Sequence, residues 1–202
     1  AENDEATILI FHGNGDAAIL QQAKGETLVN AGFGVLLVEY RGYPGSTGHP
    51  SEHGLYEDAR SAYDFVSKSA NGPVGLYAHS LGTGVAVNLA TERDIFAVVL
   101  ESPYDSIQAV AQGLYWYFPV SFLLKHKFLS DEKIEKVTAP ILAMHGLKDT
   151  VIPIEHGRAL AERASKQMLF EEIEGAGHND LASFGTELRA ATFFAKQIEV
   201  LK

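Results

Sequence analysis

Six short apolar runs alternating with helix-patterned segments predict a doubly wound α/β domain built on a mostly parallel sheet of about six strands. Two observations lead there. The runs are near-continuously hydrophobic rather than alternating, as strands covered on both faces are. The stretches between them carry apolar residues three and four apart, and they are long enough for right-handed crossovers. No internal repeat, low-complexity tract or linker interrupts this pattern, so residues 1–202 read as a single domain.

In chain order the predicted strands are TILIF (Thr7 to Phe11), GVLLVEY (Gly34 to Tyr40), VGLYA (Val74 to Ala78), AVVLES (Ala97 to Ser102), ILAMHG (Ile141 to Gly146) and MLFEEI (Met168 to Ile173). Segments such as EHGLYEDARSAYDFVSK and TGVAVNLATER supply the helices between them. A chain of 202 residues buries roughly 70% of the surface its unfolded form exposes, enough for one sizeable core.

Composition narrows the function classes. Sixteen basic against 26 acidic residues give a net charge of -10, which works against nucleic acid and anionic lipid as electrostatic partners. With no cysteine, a disulfide framework, a Cys-type zinc site and thiol catalysis are all excluded. The opening AENDEATILIF has no basic-then-apolar leader and no starting methionine, so the expectation is that any targeting segment was trimmed or never existed.

In an open α/β sheet the ligand site lies beyond the carboxyl ends of the strands, and four features fall there. In AHSLG, Ser80 sits between small residues after the third run, the pattern of a nucleophile elbow with Ala78 at its first small position. Ala78, Gly82 and Gly84 leave room for strand and helix to approach. Taken alone, such a serine caps a helix about as often.

The second feature, HGLKDTVIP, puts Asp149 three residues past a strand-closing glycine, where a carboxylate can orient a histidine. In the third, GAGHND, a glycine-flanked loop carries His178 over the sheet as a candidate base, with Asp180 as a loop cap. The fourth, FHGNGD, follows the first run and can offer a backbone N–H at Asn14, to pair with that of Leu81 as an oxyanion hole. Serine, acid and histidine follow separate strands in the order this architecture uses.

With these motifs on the page, the chain resembles the α/β-hydrolase superfamily along nearly its full length. HGNGD, VEYRGYPGSTGHPSEHGLYEDA, HSLGTGVA and GAGHNDL are similar to the small serine aminopeptidase-like hydrolases, many of them membrane-anchored, and YRGYPGSTGHPSE is the stretch most specific to that branch. The resemblance implies a triad of Ser80, Asp149 and His178, an oxyanion hole from Asn14 and Leu81, no cofactor, and a short cap at about 103–138. Two departures stand out. Ala78 replaces the usual glycine, and only six residues precede Thr7 where relatives usually carry two more strands and often a membrane helix. That leaves a trimmed form or an unusually small sheet, and leaves open a membrane association through a segment outside this chain.

His49 and His53 are four apart, but Pro50 between them interrupts a ligand helix, so no metal site is expected. His12 and His145 each precede a glycine at a strand end and read as structural. His79 and Tyr43 are candidate substrate contacts, and Arg41 follows the same strand as Tyr43. Asp105 in ESPYDS follows another strand end and is the alternative candidate for the triad acid, with Asp149 in the better context.

The expected activity is cofactor-independent hydrolysis of a small-molecule carboxylic ester or thioester through an acyl-enzyme. Acyl transfer to another acceptor, amide or peptide cleavage with the same residues, and a non-catalytic binding module on the same fold stay open. Oligomeric state and compartment are not written in these residues. GLYWYFPVSFLLKHKF, Gly113 to Phe128, carries more aromatic surface than one buried helix face needs and is expected to line an acyl pocket through Trp116. Each methylene buried there contributes about 0.8 kcal/mol. In a p-nitrophenyl ester series kcat/KM should therefore climb several-fold per carbon, and Trp116→Ala should flatten the climb while sparing acetate.

Overall fold

The computed structural model describes residues 6–70, 72–114, 124–164 and 168–202. Its six strands, β1 (Thr7–Phe11), β2 (Gly34–Val38), β3 (Val74–His79), β4 (Val98–Glu101), β5 (Ile141–Gly146) and β6 (Met168–Ile173), form one sheet in the order β2-β1-β3-β4-β5-β6. All five pairings are parallel. Each predicted run is a strand with ends within two residues. The GVLLVEY strand stops at Val38, and just beyond it the Glu39 carboxylate accepts from the Ala18 and Tyr40 N–H groups.

Alternate side chains of each strand point to opposite faces, and this divides the core in two. Leu9 and Phe11 of β1 join a cluster with Leu55, Val85 and Leu160, from helices α2 (Glu52–Ser69), α3 (Leu81–Ala90) and α5 (Ile154–Arg163). Ile8 and Ile10 join Leu28, Phe194 and Ile198, from α1 (Gln22–Asn30) and α6 (Thr186–Leu201). Helices thus cover both faces, as a parallel sheet requires.

The two edge strands are less buried than the four inside. On β6, Glu171 and Glu172 pair with Arg189 and Arg158 at 2.9 and 2.8 Å, placing charge along an edge that would otherwise invite strand pairing.

Strand order reverses between β1 and β3, and the crevice beyond their carboxyl ends is where the fold leaves room for a ligand. At that point α3 approaches β1 so closely that a Cβ on Gly82 would lie 2.5 Å from the Phe11 carbonyl oxygen and 2.8 Å from that of His12. A Cβ on Gly84 would meet the Tyr104 hydroxyl, which donates to the Leu81 carbonyl at 3.1 Å.

Within the expected cap region, α4 (Ile107–Leu114) and the 3-10 turn Ile134–Lys136 are described. Its returning strand of chain docks on α2: the Lys127 N–H donates to Glu52, and Phe128 is buried edge-on against Tyr56. Trp116 lies outside the described residues. Among those residues no helix is long and apolar enough to cross a membrane.

Gly82→Ala should destabilise the fold by about 1–3 kcal/mol, because backbone oxygens cannot move aside as side chains can. The midpoint of urea unfolding should fall accordingly with an unchanged slope.

Candidate active site

Ser80 is the hinge between β3 and α3, at φ 51°, ψ -122°, a conformation that non-glycine residues rarely adopt. Hydrogen bonds on both sides lock it: its N–H donates to the Glu101 carbonyl at 2.9 Å, and its carbonyl accepts from the Thr83 N–H and hydroxyl at 2.9 and 2.7 Å. Its side chain does not cap α3. Instead Ser80 Oγ stands 2.9 Å from His178 Nε2.

The loop carrying His178 leaves β6 through Gly175, at φ 85°. It crosses close over Gly146, where a Cβ would collide with the Ala176 and Gly177 carbonyls. The Lys148 N–H donates to the Ala176 carbonyl at 2.8 Å, and Asp180 accepts from the Gly177 N–H at 2.7 Å, the cap the sequence suggests.

His178 Nδ1 lies 2.7 Å from Asp149 Oδ2. The other carboxylate oxygen of Asp149 accepts from the Val151 and Ile152 N–H groups at 2.9 and 2.8 Å. His145, fully buried, donates through Nε2 to the Ile152 carbonyl at 2.9 Å and approaches Asp149 Oδ2 to 3.3 Å. Burial by itself raises the Asp149 carboxyl pKa, but the bonds from His145, His178 and Ile152 outweigh it and hold the group well below the usual carboxylate range.

Asp105, the substitute acid, is engaged elsewhere: its carboxylate accepts from His156 at 2.9 Å and from the Ser106 N–H at 2.6 Å. His12 bonds Glu39 and the Gly13 carbonyl. Among the described residues no group of His, Asp or Glu side chains converges to hold a metal ion.

Leu81 opens α3, so its N–H belongs to the first turn, where helical N–H groups lack an intrahelical acceptor. Asn14 sits across the mouth of the site in the loop after β1, its side-chain oxygen held at 2.8 Å by the Tyr43 hydroxyl. Tyr43 packs edge-on to His12 and Tyr40 and supports that loop, rather than lining the cavity at Ser80. His79 does line it. Arg41, its neighbour in sequence to Tyr43, grips Asp58 with side chain and main chain.

The cavity holds about 590 Å³ and opens at Ser80 and His178. Its walls mix Leu20, Val151 and Leu181 with Asp16, Lys24, Glu101 and Glu187. Sequence reasoning missed the buried pair beneath it. Lys24 Nζ donates to Glu101 Oε2 at 2.6 Å, while the Tyr77 and Thr186 hydroxyls donate to Oε1 at 2.8 and 2.7 Å. A glutamate closing the apolar run AVVLES was the available signal; Lys24, 77 residues away, gave none.

A family model described as serine aminopeptidase, S33, matches residues 2–131. An uncharacterized protein of Mycobacterium tuberculosis is 35% identical over 176 residues, covering 86% of this chain and 63% of its own length. Lysophosphatidylserine lipase ABHD12 of Macaca fascicularis is 34% identical over 196 residues, covering 85% of this chain and 48% of its own. The chain therefore spans about half to two thirds of these relatives. Among solved structures, an esterase of Pyrococcus furiosus superposes with a TM-score of 0.82 at 17% identity, over 98% of this chain and 84% of that one.

Because the Asp149 pKa is depressed in the folded state, its stabilising contribution is complete above the unfolded value near 4 and is lost as pH falls below it. The stability gap between the protein and Asp149→Asn should consequently narrow from pH 7 to pH 3 in denaturant titrations. A constant gap would mean the carboxylate is not held in its ionised form.

Proposed function

The chain belongs to the α/β-hydrolase superfamily, within the serine aminopeptidase S33 family, and from that premise we propose that it is a serine hydrolase cleaving carboxylic esters or thioesters through an acyl-enzyme. One observation carries the reading: an unbroken line of hydrogen bonds from Asp149 through His178 to Ser80, at 2.7 and 2.9 Å.

In the proposed mechanism, His178 Nε2 takes the Ser80 proton as Oγ attacks the acyl carbonyl. Asp149 fixes the Nδ1–H tautomer and stabilises the imidazolium that forms. The Leu81 and Asn14 N–H groups hold the developing oxyanion, a task for which the rigid elbow and the Tyr43-braced loop are suited. His178 then protonates the leaving alcohol or thiol, which departs, and a water attacks the ester on Ser80 by the same route in reverse. The name of one relative, lysophosphatidylserine lipase, and the polar floor of the cavity support a substrate with an acyl chain on a polar headgroup.

A fluorophosphonate should label the protein once, at Ser80, as read by peptide mass spectrometry. Ser80→Ala should abolish labelling and lower ester turnover by about a million-fold. Asp149→Asn should cost about four orders of magnitude in kcat, and Asp105→Asn far less. Equal labelling of Ser80→Ala would remove the assignment.

A further inference from the structure

Among the described residues, two hydrogen bonds join the elbow to the histidine loop. One is the reacting contact, Ser80 Oγ to His178 Nε2 at 2.9 Å. The other runs from the ring of His79, the residue before the nucleophile, to the backbone carbonyl of His178, with Nε2 at 3.0 Å. From this pair of contacts, and resting on the serine-hydrolase reading above, we propose that His79 is a positioning residue that holds the base in place while Ser80 is acylated.

The two bonds differ in what chemistry does to them. Before reaction, Ser80 carries a hydroxyl proton and can donate to His178. When Oγ bonds to the acyl carbon, its proton passes to His178 and leaves with the alcohol. Oγ is then an ester oxygen without a hydrogen, so the imidazole loses its hydrogen bond from the elbow at Nε2 and keeps the one to Asp149 at Nδ1, about which it can still swing. Yet deacylation needs that imidazole within hydrogen-bond reach of a water beside the acyl carbon. The His79 bond does not involve Oγ and survives the step. Among the described residues it is the hydrogen bond left between elbow and histidine loop once the Ser80 contact is lost.

The environment of His79 suits a permanent donor. A carbonyl only accepts, so Nε2 must carry the hydrogen. Burial lowers the His79 pKa and favours the neutral ring; Glu101 on β4 and the bond to the His178 carbonyl oppose this, while the charges of Lys24 on α1 and of His178 add to it. The ring lies 5.0 Å from that of His178, centroid to centroid, and on its other side a Cβ at Gly13 would stand 3.2 Å from Nδ1. Elbow, histidine loop and the loop after β1 thus meet on one side chain.

The test separates the two half-reactions. Rapid-mixing kinetics with a p-nitrophenyl ester give acylation from the burst and deacylation from the steady state. They would be run on the wild type, His79→Gln, which keeps a donor at the reach of Nε2, and His79→Leu, which fills similar space without one. The His79→Leu variant should lose about tenfold to a hundredfold in deacylation with acylation changed less than about threefold, and so accumulate acyl-enzyme. His79→Gln should recover most of the loss. If Leu fails to fold, as a thermal melt will tell, His79→Asn, whose donor is too short to reach, should show the same selective defect. Equal slowing of both steps, failure of Gln to rescue, or a change confined to KM overturns the proposal; the last would make His79 a substrate contact. Unchanged variants beside a wild type that forms the intermediate overturn this proposal alone, whereas a wild type that forms none overturns the serine-hydrolase reading with it.

Discussion

The carbonyls of Phe11 and His12 at the end of β1 lie under the first turn of α3, with only the hydrogen of Gly82 between them. That approach constrains the centre of the molecule. For a helix to start so near a neighbouring strand, the chain must reverse within one residue, and Ser80 absorbs the reversal at positive φ. Such a backbone is unfavourable by about 1–3 kcal/mol and persists only where its surroundings over-determine it. Here they do so from three directions: β4 through the Glu101 carbonyl, α3 through Thr83, and β1 through the packing of Gly82.

Once the elbow is fixed, the rest of the site is arranged around it by strand order. β1 and β3 are adjacent while their following connections diverge to opposite faces, so Asn14 and Ser80 flank one crevice. β5 and β6 then bring in Asp149 and His178 from the other side, with Gly146 allowing the histidine loop to cross over the end of β5. His145, next to last on that strand and buried, reaches forward to the turn containing Asp149. A carboxylate held by two main-chain N–H groups and two imidazoles has little freedom to rotate.

Much of this was legible because it is local. Apolar runs mark strands through burial on both faces, and AHSLG, HGLKD and GAGHND each place a polar side chain within a few residues of a strand end. Ser80, Asp149 and His178, separated widely in the chain, meet within hydrogen-bond distance because topology, not spacing, unites them. What pattern reading assigned less well depends on direction. Tyr43 was read as a substrate contact from its place at the active edge, but a residue number does not say which way a ring turns, and its hydroxyl points to Asn14. The acyl pocket expected from Trp116 falls outside the described residues, and the described cavity has ionised groups in its floor. Those come from α1, β4 and α6, and no periodicity links them.

The Lys24 and Glu101 pair also constrains how this chain can change. Each side chain is less than a tenth exposed, so removing either leaves the other as an unpaired charge away from water, at a cost of about 3–5 kcal/mol. Replacing both with apolar residues of similar volume removes the unpaired charge, but it leaves the buried Tyr77 and Thr186 hydroxyls without the acceptor they share. Between the charged floor and an oily one there is accordingly a valley that single substitutions cross only through a weakened intermediate. A lineage or an engineer seeking a different cavity here must move at least two positions together, 77 residues apart, and find a new acceptor for the two hydroxyls beside them.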